Sequence, residues 1–289
     1  MDAGFTCPNR DGTIAVGGCA YCNNGSFRPH GVNRLLPIAA QVEYGIAYLR
    51  SRYRAQKFIV YFQPFTNTHA PLEQLIPLYD AALAHPDVAG LSVGTRPDCV
   101  EDEKLAWFEE TARRRFVMIE YGLQSIHDAT LARINRGHDY RCWLEAMARS
   151  RDRGIWLATH VILGFPWESR AQILQVPAAL SATGLNSIKL HQLHIVRNTR
   201  MAGEHEQSPY PLLGCEEYIE LLADFLELLH PSIRIERLAG HSADEQLLGP
   251  HWGKSGGEIR RDLEKKLIER DSWQGRLWDS GAYDPAVNR

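Results

Sequence analysis

No stretch of this chain approaches 18 uninterrupted apolar residues, so no membrane-spanning helix is predicted. The N-terminus lacks a basic segment followed by an apolar run, and with it any readable secretory signal. Strong charge of either sign is missing as well. The 32 Lys and Arg nearly balance 35 Asp and Glu, and a formal net charge of -3 announces neither a nucleic-acid nor a membrane partner. Linkers, low-complexity segments and internal repeats are absent too. Together these absences predict a cytoplasmic protein without a membrane partner, in a compartment where thiols stay reduced. Six cysteines in 289 residues then read as metal ligands or buried thiols rather than as a disulfide framework.

What is present is a regular alternation. Lys57 to Gln63 (KFIVYFQ) reads as a buried strand, and Val88 to Gly94, Phe116 to Tyr121, Ile155 to Gly164 and Ser187 to Leu193 read as further strands. Helices fall between them. Ile38, Val42, Ile46, Leu49 and Tyr53 mark one helical face, with Pro37 at the first turn. Glu101, Asp102 and Glu103 open another helix, which Arg113, Arg114 and Arg115 close. That basic cluster, and the one at Arg149, Arg151 and Arg153, fit helix C-termini, where cations complement the dipole. Gly137, Gly154 and Gly184 stand where helix ends call for a left-handed residue. Pro77 and Pro177 are expected to interrupt two helical patterns. Strands alternating with helices predict βαβ units and a parallel sheet, hence a complete or partial β/α barrel. A helix (Glu216 to His230), a β-like segment (Ile233 to Leu238) and a charged helix (Glu258 to Arg270) follow as a C-terminal extension. The expected division is 1–200 for the barrel and 201–289 for the extension.

Chemistry is concentrated near the N-terminus, in GFTCPNRDGTIAVGGCAYCNN. Cys7, Cys19 and Cys22 have the spacing C-x11-C-x2-C, with no fourth cysteine nearby. Three thiolates on a cube of four irons leave one iron open to a further ligand, as a catalytic zinc site keeps one position open. S-adenosylmethionine (SAM) fits that vacancy through its amino and carboxylate groups. Gly12, Gly17 and Gly18 let the loop wrap closely, and Tyr21 stands where it lies against an adenine ring. Two alternatives stay open on these residues: a zinc site formed by the three cysteines with His30, and three merely buried thiols. Cys99, Cys142 and Cys215 stand singly and read as buried thiols.

The segment GFTCPNRDG…GGCAYCN resembles the YhcC/YtqA-like radical SAM proteins, relatives of the catalytic subunit of Elongator. The resemblance continues in order through YFQPFTNT (Tyr61 to Thr68), GTRPDC (Gly94 to Cys99), EYGLQS (Glu120 to Ser125) and LARINRGHDY (Leu131 to Tyr140). It runs on through THVILGFPWE (Thr159 to Glu168), KLHQLHIV (Lys189 to Val196) and ERLAG…LLGPHW (Glu236 to Trp252). It implies an α/β fold, a partial (β/α)6 barrel of TIM type, with a [4Fe–4S] cluster held by Cys7, Cys19 and Cys22 at its C-terminal face.

By position, the resemblance implies SAM contacts from Gln63 and Thr66, from Thr95, and from Glu120, Gln124 and Ser125 at successive strand ends. Arg133 and Arg136 are implied partners of the SAM carboxylate, a bidentate task suited to a guanidinium. For each of these there is a structural alternative: a helix cap for Glu120 or Gln124, a surface ion pair for either arginine. His160, His191 and His194 read as hydrogen-bonded structural residues. The chain departs from the family pattern in three places. Met1 lies six residues before Cys7, which implies either an upstream start or a stunted first strand with an exposed edge. The family's GLPGE reads Gly164-Phe165-Pro166-Trp167-Glu168, and its ELGLQ reads Glu120-Tyr121-Gly122-Leu123-Gln124. Elongator's acetyltransferase domain has no counterpart, so acetyl-CoA chemistry is not implied.

The expected activity is reductive cleavage of SAM to a 5′-deoxyadenosyl radical that removes a hydrogen atom from a substrate. Kinship with Elongator points to tRNA at a wobble uridine; a small metabolite or peptide is the alternative within the enzyme reading. A flavodoxin- or ferredoxin-type electron donor is the implied partner. A non-catalytic zinc or iron–sulfur binding module is the alternative outside it.

Overall fold

The structure, a computed structural model, describes residues 1–27 and 35–279. His30, the nitrogen ligand of the zinc alternative, lies outside the described residues. A short 3-10 turn (Asn24–Phe27) follows the cysteine segment. The elements then run α1 (Ile38–Tyr53), β1 (Phe58–Phe62), α2 (Leu72–Leu83), β2 (Val88–Thr95), α3 (Asp102–Ala112), β3 (Phe116–Gln124), α4 (Asp128–Arg133) and α5 (Tyr140–Ser150). Next come β4 (Trp156–Leu163), α6 (Arg170–Ile173), α7 (Val176–Ser181), β5 (Ser187–Gln192), β6 (Ile195–Val196) and α8 (Arg200–Gln207). The last are α9 (Cys215–Leu228), β7 (Arg234–Arg237), β8 (Leu247–Gly249) and α10 (Gly256–Glu269). Six strands form one sheet in the order β1-β2-β3-β4-β5-β7, while β6 and β8 make a separate antiparallel ribbon. Parallel pairing joins β1 to β2, β2 to β3 and β5 to β7.

The chain divides into two compact units. One comprises Met1–Gly18, Phe27–Gly122 and Glu145–Ala158; the other comprises Cys19–Ser26, Leu123–Leu144 and Thr159–Arg289. In the first unit β1 buries Phe58, Val60 and Phe62 while Ile59 stays 49% exposed. The strand read as fully buried is therefore covered on one face only, as period-2 alternation allows. The rings of Phe62 and Tyr79 meet edge to face at 5.3 Å, and Tyr79 also packs on Phe108. Along α1, Ile38, Val42 and Ile46 are buried, but Leu49 and Tyr53 are exposed, so the predicted apolar face is covered for only part of its length. Pro77 does not interrupt α2. Pro77 and Glu73, four residues before it, are both exposed, so the carbonyl that loses its donor faces water. Ahead of β1, the Met1 amine donates to the Tyr61 carbonyl and Thr66 N–H donates to Thr6 O. Among the described residues no strand precedes β1.

In the second unit Ala20, Leu131, Ile134, Ile162, Phe165, Leu193, Ile195 and Met201 form one apolar cluster. Pro177 falls in the first turn of α7, where its missing N–H costs nothing, rather than inside a helix. Gly137 and Gly184 take φ of 78° and 76°, the left-handed geometry expected at helix ends. One expectation is corrected. Residues Ile233 to Leu238 were read as lying outside the barrel, yet β7 pairs in parallel with β5 and is the last strand of the sheet. The join has a side-chain reason: Glu236 accepts from the Ser187 hydroxyl and pairs with buried Lys189 at 3.4 Å. The sequence marks these residues as β-like, but a four-residue strand with exposed charges carries no apolar signal that ties it to the sheet.

Candidate cluster and cofactor site

In the second unit, the turn carrying Cys19 and Cys22 is fixed by its backbone. Cys22 N–H donates to Cys19 O at 3.0 Å and closes the C-x2-C turn. Between the two cysteines, Ala20 N–H donates to Ile134 O at 2.8 Å and Ala20 O accepts from Met201 N–H at 3.0 Å. Ala20 is 2% exposed, within the apolar cluster, and Tyr21 packs against that cluster. The Asn23 amide donates to Arg197 O at 2.9 Å. Arg136, only 6% exposed, points its Nη1 at the Cys19 sulfur at 3.6 Å. Burial, then the neighbouring Cys19, pushes the Tyr21 hydroxyl pKa well up. Tyr21, expected against an adenine ring, thus has its polar end beside a cysteine sulfur.

The first unit supplies Cys7 and most of the loop after it. Cys7 O accepts from Arg10 N–H and Asp11 N–H at 2.7 and 3.1 Å, and Gly18 N–H closes back on Asn9 O at 2.8 Å. Gly17 and Gly18 have φ of 83° and 81°, and a Cβ on Gly18 would meet Arg10 Nε at 2.7 Å. Only glycine fits there without moving the arginine. Asp11, whose carboxyl pKa is lowered chiefly by the Thr13 hydroxyl, also bonds His69 Nε2 at 3.0 Å.

Cys7, Cys19 and Cys22 are all free thiols. The buried Arg136 guanidinium beside the Cys19 sulfur suits a thiolate ligand there, because its positive charge offsets the ligand's negative one. Among the described residues no three His, Cys, Asp or Glu gather closely enough to hold a single metal ion. The ligands of a cubane bind different irons and need not converge on one point. Of the single cysteines, Cys99 is buried and its thiol pKa is raised by that burial, whereas Cys142 and Cys215 are half-buried. Both of the latter lie in first helical turns, with one side toward solvent.

Within the strands of the first unit lies a carboxyl clasp, with Glu120 in mid-strand rather than at the strand end the sequence implies. Glu120 (β3), 2% exposed, accepts from Tyr61 OH (β1) at 2.6 Å and from Ser92 OH (β2) at 2.7 Å. Thr95 shares a hydroxyl hydrogen bond with Thr68, which donates to Cys99 O at 2.6 Å. Both residues read as SAM contacts therefore have structural partners. Thr66 is buried and Gln63 half-buried just past β1. Arg96 is held by Asp98 through two hydrogen bonds of 2.8 and 2.6 Å.

In the second unit Gln124 ends β3 with φ 81°, an uncommon geometry for a non-glycine residue and a form of strain that gathers at functional sites. Ser125 OH donates to Glu168 at 2.5 Å. Burial raises the Glu168 pKa, with Ser125 and Thr130 opposing. Trp167 Nε1 donates to Thr130 OH at 3.0 Å, and Arg133 lies exposed with its guanidinium 4.0 Å from the Trp167 ring centre. His160 and His191 stack at 5.6 Å and 17°. Sequence reasoning gave Glu168 no role; a carboxyl-bearing residue soon after a long apolar strand was the available signal. Tyr61 and Ser92 carry no expectation from the sequence either, since only strand pairing brings their hydroxyls to Glu120.

Set against known proteins, residues 7–176 match the Radical SAM superfamily and residues 185–269 match the Radical SAM C-terminal domain. The chain belongs to the radical SAM superfamily. Its cofactors are accordingly a [4Fe–4S] cluster and SAM. This radical SAM chain is 35% identical to the uncharacterized protein YtqA of Bacillus subtilis over 278 residues, covering 96% of this chain and 86% of that one. Protein YhcC of Escherichia coli is 36% identical over 282 residues, at 96% and 90% coverage. Elongator complex protein 3 of Schizosaccharomyces pombe is similar more distantly, 26% over 152 residues, or 52% of this chain and 27% of that one. An archaeal Elp3 from Methanocaldococcus infernus, with its N-terminus deleted, superposes with a TM-score of 0.72 at 15% identity, over 83% of this chain and 61% of that one. The fold is thereby shown: α/β, a partial (β/α)6 barrel of TIM type, the radical SAM core. No helix among the described residues is long and apolar enough to cross a membrane.

Proposed function

We propose that this chain is a radical SAM enzyme in which Cys7, Cys19 and Cys22 ligate the [4Fe–4S] cluster. When bound and reduced, the cluster supplies the electron that cleaves SAM to methionine and a 5′-deoxyadenosyl radical. The observation that carries this reading is the C-x2-C turn anchored on both sides of Ala20, in a chain matching the superfamily from Cys7 onward. Gln63, Thr66, Gln124 and Ser125 are the proposed SAM contacts, supported by their positions at the ends of β1 and β3 and by the strained backbone of Gln124. Glu120 and Thr95 join them only by sharing oxygens already engaged within the sheet. Anaerobic reconstitution followed by SAM and dithionite is expected to yield 5′-deoxyadenosine, and Cys22→Ala to abolish it. Substantial product from Cys22→Ala would remove the ligand assignment.

For the substrate we propose tRNA at the 5-position substituent of a wobble uridine. Its support is similarity to Elongator complex protein 3, in sequence over half the chain and in fold over most of it. The proposed electron donor is a flavodoxin- or ferredoxin-type protein. Binding of tRNA that weakens steeply with salt is the observable that tests the substrate.

A further inference from the structure

Arg136 reaches the cysteine turn by a local device. It follows α4, its N–H donates to Leu131 O at 2.8 Å, and Asn135 and Gly137 on either side take φ of 53° and 78°. Two left-handed residues in so short a span turn the chain sharply and deliver the arginine side chain inward. There it is 6% exposed, with Nη1 3.6 Å from Cys19 Sγ, a distance appropriate to an N–H···S hydrogen bond. Ala20, the neighbour of Cys19, is bonded to Ile134 O only two residues before Arg136, so sulfur and guanidinium are registered by one stretch of backbone. Tyr21 adds its hydroxyl at the same sulfur. An arginine held this way is not a surface ion pair. Its charge is permanent, and burial strengthens its field at the sulfur compared with an exposed site.

We infer that Arg136 sets the reduction potential of the cluster through Cys19, rather than gripping the carboxylate of SAM. The inference rests on the reading of Cys19 as a cluster ligand. Reduction of [4Fe–4S]2+ to [4Fe–4S]+ adds one electron, taken from a flavodoxin- or ferredoxin-type donor, or from dithionite in the assay. The added negative charge spreads over the irons and sulfurs. A fixed positive charge donating a hydrogen bond to one thiolate stabilises the reduced form more than the oxidised one, and so raises the potential. Arg136 is here a positioning and tuning residue: it acts on the cluster through Cys19 and touches no substrate.

The test uses the full chain, reconstituted anaerobically, with iron and sulfide assayed before any potential is read. In Arg136→Gln the charge is gone. At a fixed potential, the ratio of reduced to oxidised cluster is expected to fall about tenfold, equivalent to about 59 mV in a one-electron midpoint. Arg136→Lys restores the charge without the fork, and its midpoint is expected between those of Arg136→Gln and wild type. A second measurement needs no variant. With arginine selectively labelled with 15N, pulsed electron paramagnetic resonance of the reduced wild-type cluster is expected to show a weak 15N hyperfine coupling. Full iron loading of Arg136→Gln with an unchanged midpoint overturns the inference and leaves the cluster assignment standing. So does the absence of any arginine 15N coupling in the wild type, including the case where Arg136→Gln loads no iron. Failure of the wild type itself to bind iron overturns the underlying reading instead.

Discussion

His194, half-buried, resists protonation in the folded chain, because burial, aided by His241 and His251, lowers its pKa from 6.5 to about 4. Between those two values the unfolded chain takes up a proton that the folded chain refuses. Stability contributed by His194 is therefore complete above pH 6.5 and is lost as pH falls toward 4. At about 1.4 kcal/mol per pH unit, that interval is worth roughly 3 kcal/mol at most. Urea unfolding followed from pH 7 to pH 4.5 is expected to show a falling midpoint in the wild type. His194→Gln, which cannot titrate, is expected to flatten that dependence; an identical slope in the variant would count against the assignment. His191 follows the same sign, with burial first and His160 second among the causes. Glu120 illustrates the other polarity of burial, a carboxyl kept in the interior by two hydroxyl donors from neighbouring strands.

Gly90 and Gly184 separate two reasons for glycine within the elements. Gly90 lies in β2 opposite Phe116 of β3, and a Cβ there would stand 2.0 Å from the Phe116 carbonyl oxygen, part of a paired strand backbone that cannot yield cheaply. Gly90→Ala is expected to cost about 3 kcal/mol or more and to lower soluble yield sharply. Gly184 has open space around its missing Cβ but φ of 76°, so Gly184→Ala should cost only about 1–2 kcal/mol, as backbone strain alone. Thermal midpoints of the two variants compare them directly; equal losses would refute the distinction. The strands from Phe58 to Gln192 were legible because buried runs of Val, Ile, Leu and Phe recur between helices with charged ends. The acidic start of α3 and the positive-φ glycines were legible for the same local reason. The place of β7 in the sheet was not, since its four residues are held there by pairing with β5 and by Glu236, interactions distant in sequence. The proline in α2 was misread because only tertiary exposure decides whether a lost hydrogen bond is answered by water.

At the scale of the whole molecule, a net charge of -3 opposes any polyanion, so tRNA binding would depend on local basic surface and fall steeply with salt. Electrophoretic mobility of tRNA with this protein is expected to show a complex at low salt that loses affinity by an order of magnitude or more by physiological salt. No complex at the lowest salt removes the tRNA proposal and leaves the radical SAM assignment untouched. The cofactor class was legible from three cysteines and a run of collinear motifs. The partners of each site residue were not, because Tyr61, Ser92, Glu168 and the guanidinium at Cys19 are brought in by folding from far along the chain.

The loop segment from Cys19 to Cys22 owes its shape to amide hydrogen bonds at Ala20 and to a methyl group sunk among Leu131, Ile134 and Met201, none of which involves sulfur. Loss of the proposed cluster to oxygen is therefore expected to leave this turn standing. Reconstitution would then call for fresh iron, sulfide and reductant, with no refolding of the turn proposed to receive them.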